Sequence, residues 1–274
     1  MPELPEVEAA RRAAQRVAAG RRIVEVWCAA DPIVFEDGPA RVRRALLGRR
    51  VLAVHRRGKH LWFELDRRPW PVIHFGMTGG FHVPGARGVR LVSSGQRRAG
   101  WPPRFAKLLL GFEGGARLAM ADARRLGRIR LRRDPRREPP VSLLGFDALT
   151  ELPPLPRFTA LLRGRTAPVK AVLLDQAFAA GVGNWIADEV LYQAGIDPGR
   201  RTHTLAGDEL ARLRARLSSV ITTAVRLGAD SDRFPRTWLF HSRWKRGSTT
   251  ARGEKIRHVT IGGRTTAWVP AAQR

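Results

Sequence analysis

The chain has 274 residues, 43% of them hydrophobic, enough for two domains with cores of their own. Its 50 Lys and Arg against 24 Asp and Glu leave a net charge of +26, which implies a polyanionic partner, nucleic acid before any other. No stretch of 18 apolar residues and no signal-peptide pattern argue for a membrane, and the lone Cys28 excludes an intramolecular disulfide, so the chain reads as cytoplasmic.

Met1-Pro2-Glu3-Leu4-Pro5-Glu6 opens a helix, because Val7, Ala10, Ala14 and Val17 recur at helical spacing and proline suits a first turn. Pro2 follows Met1 in a context where methionine removal is expected, and removal exposes a secondary amine. An α-amino group has a pKa of about 7.7 to 8.0 against roughly 10.4 for lysine, so it is the better Schiff-base former with a sugar C1′. Many chains begin Met-Pro for helix entry alone, and both readings hold together.

Ile23 to Cys28, Val51 to His55, His60 to Leu65, Val72 to Phe75, Phe105 to Phe112 and Arg117 to Ala121 read as strands of an antiparallel sandwich or barrel, interrupted by a helix near Pro39 to Leu47. Residues 136–156, rich in Pro and charge, read as a linker between a domain of residues 1–135 and a helical region of residues 157–235. The helices predicted there are Phe158 to Leu162, Pro168 to Ala177, Trp185 to Ala194 and Ala206 to Leu227. Residues 236–274 hold nine basic residues, one acid and the apolar runs Val259 to Ile261 and Ala267 to Val269, a basic hairpin.

Three segments carry candidate chemistry. Gly181-Val182-Gly183-Asn184 offers amides at a helix start, where a phosphate is held by N-H groups and dipole, or is a plain interhelix turn, and Asn184 as N-cap suits both readings. His74 to Gly80 leaves a strand for a flexible turn, with Met77 either a core gap-filler or a wedge between bases. Asp122 to Gly127 reads as a solvated turn or a second such tip, with Arg124 polar and Leu126 apolar. Only five of the basic residues are Lys, which singles out Lys59 and Lys170, since Arg cannot carry a proton or act as a nucleophile near neutral pH.

Pro2 to Glu8, Arg56-Arg57-Gly58-Lys59, His74-x-Gly-Met77, Asp122-x-Arg124-Arg125, Lys170 ahead of Leu173-Leu174-Asp175-Gln176, and Gly181 to Asn184 together resemble the formamidopyrimidine-DNA glycosylase and endonuclease VIII family, in order and spacing over nearly the whole chain. The resemblance implies an α+β fold: an N-terminal antiparallel β-sandwich with flanking helices, a helix-two-turns-helix domain and a β-hairpin finger. It implies Pro2 as nucleophile at C1′, Glu3 as the acid that protonates the opened sugar, Glu6 orienting it and Lys59 on phosphate near the lesion. His74, Lys170, Asn184 and Arg264 fall among DNA-binding residues, with Lys170 and Asn184 on the backbone or the extruded nucleotide. Met77, Arg124 and Leu126 would fill the gap left by the flipped base. Glu3 and Glu6 lie where a helix dipole favours ionised carboxylates, whereas a general acid works best with a raised pKa.

The sequence departs from the family at its end. The finger's two Cys-x-x-Cys pairs are replaced by Thr250, Gly253, Val269 and Ala272, which cannot supply four tetrahedral ligands, so a zincless finger without metal or other cofactor is expected. Leu126 stands where the formamidopyrimidine branch usually has Phe. The short segment Leu227 to Pro235 implies weak 8-oxoguanine activity. The expectation is thus a monomeric, bifunctional DNA glycosylase and AP lyase of base excision repair that acts on damaged DNA near the chromosome and cuts the strand by β,δ-elimination. A catalytically silent DNA-binding relative and an RNA-binding accessory protein are the rival readings.

Overall fold

The structure, a computed structural model, describes residues 1–85 and 100–274. They divide into two compact units, Met1–Leu143 with Gly228–Ser231, and Leu144–Leu227 with Asp232–Arg274.

The first unit is built on α1 (Leu4–Ala18), β1 (Ile23–Cys28), α2 (Pro39–Leu46), β2 (Val51–Arg57), β3 (His60–Leu65), β4 (Trp70–His74), β5 (Gly80–His82), β6 (Ala106–Phe112), β7 (Arg117–Ala121) and β8 (Arg128–Arg132). Two four-stranded antiparallel sheets, ordered β1-β6-β7-β5 and β2-β3-β4-β8, share one core in which Val26, Leu108 and Leu110 meet Val54, Phe63 and Ile73. Alternation explains the faces: Ile129 and Leu131 of β8 point inward while Arg128, Arg130 and Arg132 stay half exposed. Helix α1 completes the core through Val7, Ala10, Ala14 and Ala18, whose small side chains bring its backbone close to β2. There the Gln15 side chain accepts a hydrogen bond from the Val54 amide at 2.6 Å.

The second unit comprises β9 (Phe146–Asp147), α3 (Leu155–Arg163), α4 (Val169–Leu174), β10 (Ala179–Ala180), α5 (Asn184–Ala194), α6 (Gly207–Arg226), β11 (Arg257–Ile261) and β12 (Arg264–Trp268). Helix α4 is shorter than its predicted span to Ala177, because Asp175 leaves the helix and its carboxylate takes the Ala177 amide at 2.9 Å. β11 and β12 form a hairpin closed by Gly262-Gly263, with φ of 58° and 70°, the left-handed pair that a two-residue type I′ turn requires. A side chain at Gly262 would also press on Ala171 of α4, at 3.3 Å. Tyr192, Leu239, Ile256, Ala267, Val269 and Ala272 pack together beneath the hairpin.

Candidate active site and nucleic-acid interface

Pro2, Glu3 and Glu6 lie buried at the start of α1. Glu3 is the N-cap and Glu6 the third helical residue, and the Glu6 carboxylate accepts the Glu3 amide at 3.0 Å. Burial first, then the negative charge of Glu3, pushes Glu6 up to about 7 against the pull of backbone hydrogen bonds and the terminal amine. One turn on, Glu8 is buried between Arg11, Arg12 and Arg56, and these arginines hold its carboxyl below the usual range against the cost of burial. The Arg56 guanidinium spans from Glu8 at 3.1 Å to the Gly58 carbonyl at 3.0 Å. Helix α1 therefore fixes the β2-β3 turn that carries Lys59. Neither Glu8 nor Arg56 was singled out by the sequence, although their pattern, an acid one turn into the helix and a basic pair before Gly58, was visible.

His74 ends β4 directly opposite His60 on β3, with ring centroids 4.8 Å apart. Burial, with the neighbouring positive charge of Lys59 and Arg130, drives His60 down to about 3 and His74 down to about 4. His74 Nδ1 accepts the Gly76 amide at 3.2 Å, which leaves Nε2 of the neutral ring as the donor. A neutral N-H of this kind suits a phosphate oxygen.

Past His74 the Met77 turn meets the turn of Arg124 and Leu126. Asp122, fully buried, joins them: its Oδ1 accepts the Thr78 hydroxyl at 2.8 Å and the Arg124 amide at 3.2 Å, and its Oδ2 accepts the Gly127 amide at 2.7 Å. Gly76 has φ of 64°, and a Cβ there would stand 2.4 Å from the Leu126 carbonyl carbon, so the two backbones touch and only glycine fits. Met77 is half-buried, while Arg124 and Leu126 are exposed. Arg125, between those two, turns away with φ of 56° and grips Asp31 with both Nε (2.9 Å) and Nη2 (3.0 Å). Lys107 meets the same carboxylate at 2.8 Å.

In the second unit the Gly181 to Asn184 turn is braced by Gln176, whose amide donates to the Val182 carbonyl at 2.8 Å and whose oxygen accepts the Gly181 amide at 3.1 Å. Gly183, rather than Asn184, is the N-cap of α5. Asn184 is already helical, so its side chain is free for another partner and donates to the Thr265 carbonyl at 2.8 Å, next to Arg264. Arg264 itself is exposed, immediately after the Gly-Gly turn.

Lys170 corrects the reading of it as a residue on DNA. It is 0% exposed, its ammonium bonded to Asp188 and, at 2.7 Å, to the Thr266 hydroxyl. Asp188 also takes the Arg243 guanidinium through Nε (3.1 Å) and Nη2 (2.5 Å), and the Ala267 amide at 3.1 Å. A lysine with no solvent-accessible surface cannot reach a phosphate from this position. It ties α4 and α5 to β12, two residues from Arg264. The neighbouring Glu189 is buried and pushed up to about 7, chiefly by desolvation, while it accepts the Phe240 amide at 2.8 Å.

The four positions that face a zinc ion in Cys-type fingers do not fit a metal. Thr250 and Gly253 close one tight turn, where the Gly253 amide donates to the Thr250 carbonyl at 2.9 Å, and Val269 and Ala272 close another at 3.0 Å. Thr250 Oγ1 donates to Glu254 at 2.8 Å and the Tyr192 hydroxyl to the same oxygen at 3.0 Å, while the Gln273 side chain takes the Val269 amide at 2.7 Å. Among the described residues no three His, Cys, Asp or Glu side chains are grouped as metal ligands, and no helix is long and apolar enough to cross a membrane. Cys28 is half-buried on β1, its thiol pushed up to about 11 by burial.

Three family models match in succession: the formamidopyrimidine-DNA glycosylase N-terminal domain over residues 1–129, its H2TH domain over 144–235, and the formamidopyrimidine-DNA glycosylase-like C-terminal domain over 238–270. A formamidopyrimidine-DNA glycosylase of Arabidopsis thaliana is 39% identical over 277 aligned residues, covering 100% of this chain and 71% of that protein. One from Dinoroseobacter shibae is 32% identical, with both chains covered in full. The Lactococcus lactis formamidopyrimidine-DNA glycosylase, solved non-covalently bound to DNA containing an AP site, superposes with a TM-score of 0.82 at 25% identity, over 99% of each chain.

Proposed function

Because the chain belongs to the formamidopyrimidine-DNA glycosylase family, and is thus a DNA glycosylase and AP lyase of base excision repair, we propose that its chemistry runs through Pro2, Glu3 and Glu6. The observation that supports this most is the burial of these three residues together at the start of α1, with Glu6 titrating near neutrality. The reading requires Met1 to be removed, since the Pro2 nitrogen is otherwise an amide without nucleophilic character. The freed nitrogen then bonds to C1′ and passes its proton to the Glu3 and Glu6 carboxylates, while the damaged base leaves with the bonding electrons and takes a proton from water; the Glu3 carboxyl then gives a proton to the ring oxygen as that oxygen leaves C1′. The resulting iminium acidifies the C2′ hydrogen, and its loss expels the 3′ phosphate. Loss of the C4′ hydrogen in turn expels the 5′ phosphate.

Lys59, His74 and Arg264 serve as phosphate contacts, Met77, Arg124 and Leu126 fill the vacated space, and Asn184, bonded to the hairpin beside Arg264, meets the DNA backbone or the extruded nucleotide. Lys170 acts from inside the second unit. Supporting the phosphate role of His74 is its neutral ring with Nε2-H outward from the Gly76 bond. The enzyme works as a monomer, and inside the cell with the chromosome. The domains divide as residues 1–135, 157–235 and 236–274 around a linker. Oxidised pyrimidines and ring-opened or further-oxidised purines are preferred over 8-oxoguanine, for the segment after α6 is short.

Borohydride added during reaction with abasic-site DNA tests the nucleophile. The adduct should map to a peptide beginning at Pro2, and an adduct on Lys59, or none at all, would overturn the assignment. The same preparation assayed on a panel of lesions tests the preference, which fails if 8-oxoguanine opposite cytosine is released as fast as the others.

A further inference from the structure

The wedge turns are joined by a bond whose purpose goes beyond holding either turn in shape. Asp122 bonds the Arg124 and Gly127 amides of its own turn, and that alone suffices to shape an Asx-type loop. Its third bond, to the Thr78 hydroxyl at 2.8 Å, reaches the other turn, one residue from Met77. The contact is supported on both sides: Gly76 lies backbone to backbone against Leu126 and Gly127, and Arg125 is anchored outward on Asp31.

We propose that Thr78 and Asp122 clamp the Met77 turn to the Arg124–Leu126 turn, so that the two tips enter the duplex as one rigid wedge, with Thr78 a positioning residue for base eversion. The proposal rests on the reading of Met77 and Leu126 as gap-filling side chains. Everting a paired base has an unstacking and unpairing cost, and two turns that ordered only on insertion would add their conformational entropy to it. A clamp formed beforehand removes that addition. Arg124 and Leu126 are exposed and carry no side-chain bond among the described residues, whereas Thr78 and Asp122 bond each other and Arg125, itself exposed, is tied back to Asp31. Division of labour within six consecutive residues, two presented and two anchoring, is what a preorganised reading head requires.

The test is Thr78→Val, which keeps the β-branched shape and removes the donor. Single-turnover excision of an oxidised pyrimidine is measured opposite its normal partner and opposite an abasic residue, where no partner base has to be separated. The Val variant should slow excision about tenfold in the paired duplex, the scale of one lost hydrogen bond to a charged group, and by less than about twofold opposite the abasic residue. Thr78→Ser should restore the paired rate. A Thr78→Val enzyme with an unchanged paired rate, or with the same loss on both substrates, overturns the clamp. Met77→Ala and Leu126→Ala separate this from the reading beneath it: if neither slows paired excision the wedge itself fails, whereas slow Ala variants beside a normal Val variant refute only the clamp.

Discussion

Replacing Asp188 with Ala should destabilise the second unit far more than replacing its partner Lys170 with Met. Asp188 is 1% exposed and neutralises two cations that are themselves buried, Lys170 at 0% and Arg243 at 6%. Its removal leaves both charges without a counter-ion and the Ala267 amide without an acceptor. Breaking a buried ion pair from one side costs about 3 to 5 kcal/mol and an orphaned buried amide about 1 to 3, with overlap between the two, so a loss of at least about 4 kcal/mol is expected. Lys170→Met instead removes one buried cation and fills its volume with an apolar chain, while Asp188 keeps Arg243 and the Ala267 amide. That change should cost less than about 2 kcal/mol. Urea unfolding followed by far-UV circular dichroism reports the difference, since α5 and α6 are long helices of this unit. Equal losses in the two variants, or an Asp188→Ala loss below about 1 kcal/mol, would refute the ranking. DNA binding by Lys170→Met supplies a second readout: a log-log salt slope shallower by about 0.9 would mean that Lys170 does reach a phosphate, against its burial.

Three other outcomes follow from the same geometry. Glu3→Gln should keep DNA affinity and lose base excision by about 10²- to 10⁴-fold, and near-normal turnover by this variant would remove Glu3 from the proton transfers. Purified protein should carry no stoichiometric zinc and stay active in chelator, while Arg264→Ala weakens DNA binding and reduces the salt slope by about 0.9; one zinc per chain, or an Arg264→Ala protein with unaltered binding, would sink the metal-free finger. The first unit should lose stability as pH falls from about 6.5 towards 4. His60 and His74 titrate at about 3 and 4 in the fold, so the unfolded chain binds more protons across that window, outweighing the opposite contribution of Glu6, whose raised value makes the folded state bind its proton first between about 7 and 4.5. Unfolding at a series of pH values checks this, and His60→Phe should flatten the profile; a steady gain in stability on acidification would contradict it.

Regular elements were legible where hydrophobic period and turn residues agreed. Ile23–Cys28, His60–Leu65 and Arg117–Ala121 begin and end as the alternation and the flanking Gly, Asp and Pro indicate. β8 escaped notice because three of its five residues are arginines: in Arg128–Arg132 the inward Ile129 and Leu131 are outnumbered, and Arg130 is held by Glu36, 94 residues earlier in the chain. The two-residue β9 and β10 are too short to carry any period. The motifs that carry the candidate site residues were legible, since a motif is a local pattern. What the sequence could not carry was their long-range partners: Thr78 with Asp122, Arg56 with Glu8, Arg125 with Asp31, and above all Lys170 with Asp188, an ion pair that buries a lysine the family resemblance places on DNA.

The start of α1 joins two opposed demands, and burial decides between them. The helix terminus and the Glu3 amide stabilise an ionised Glu6, and the positive terminal amine does the same. Each of these alone would give an acid of ordinary strength or stronger, useless as a proton donor at neutral pH. Exclusion of water and the adjacent charge of Glu3 outweigh them and bring Glu6 to about 7. In the reaction proposed for Pro2, a Glu6 that still holds its proton near neutral pH sits beside Glu3 where the prolyl nitrogen would give a proton up and the sugar oxygen would receive one. The pair can take the first proton and supply the second without solvent, which is why both residues, and not Glu3 alone, belong to the reaction proposed for Pro2.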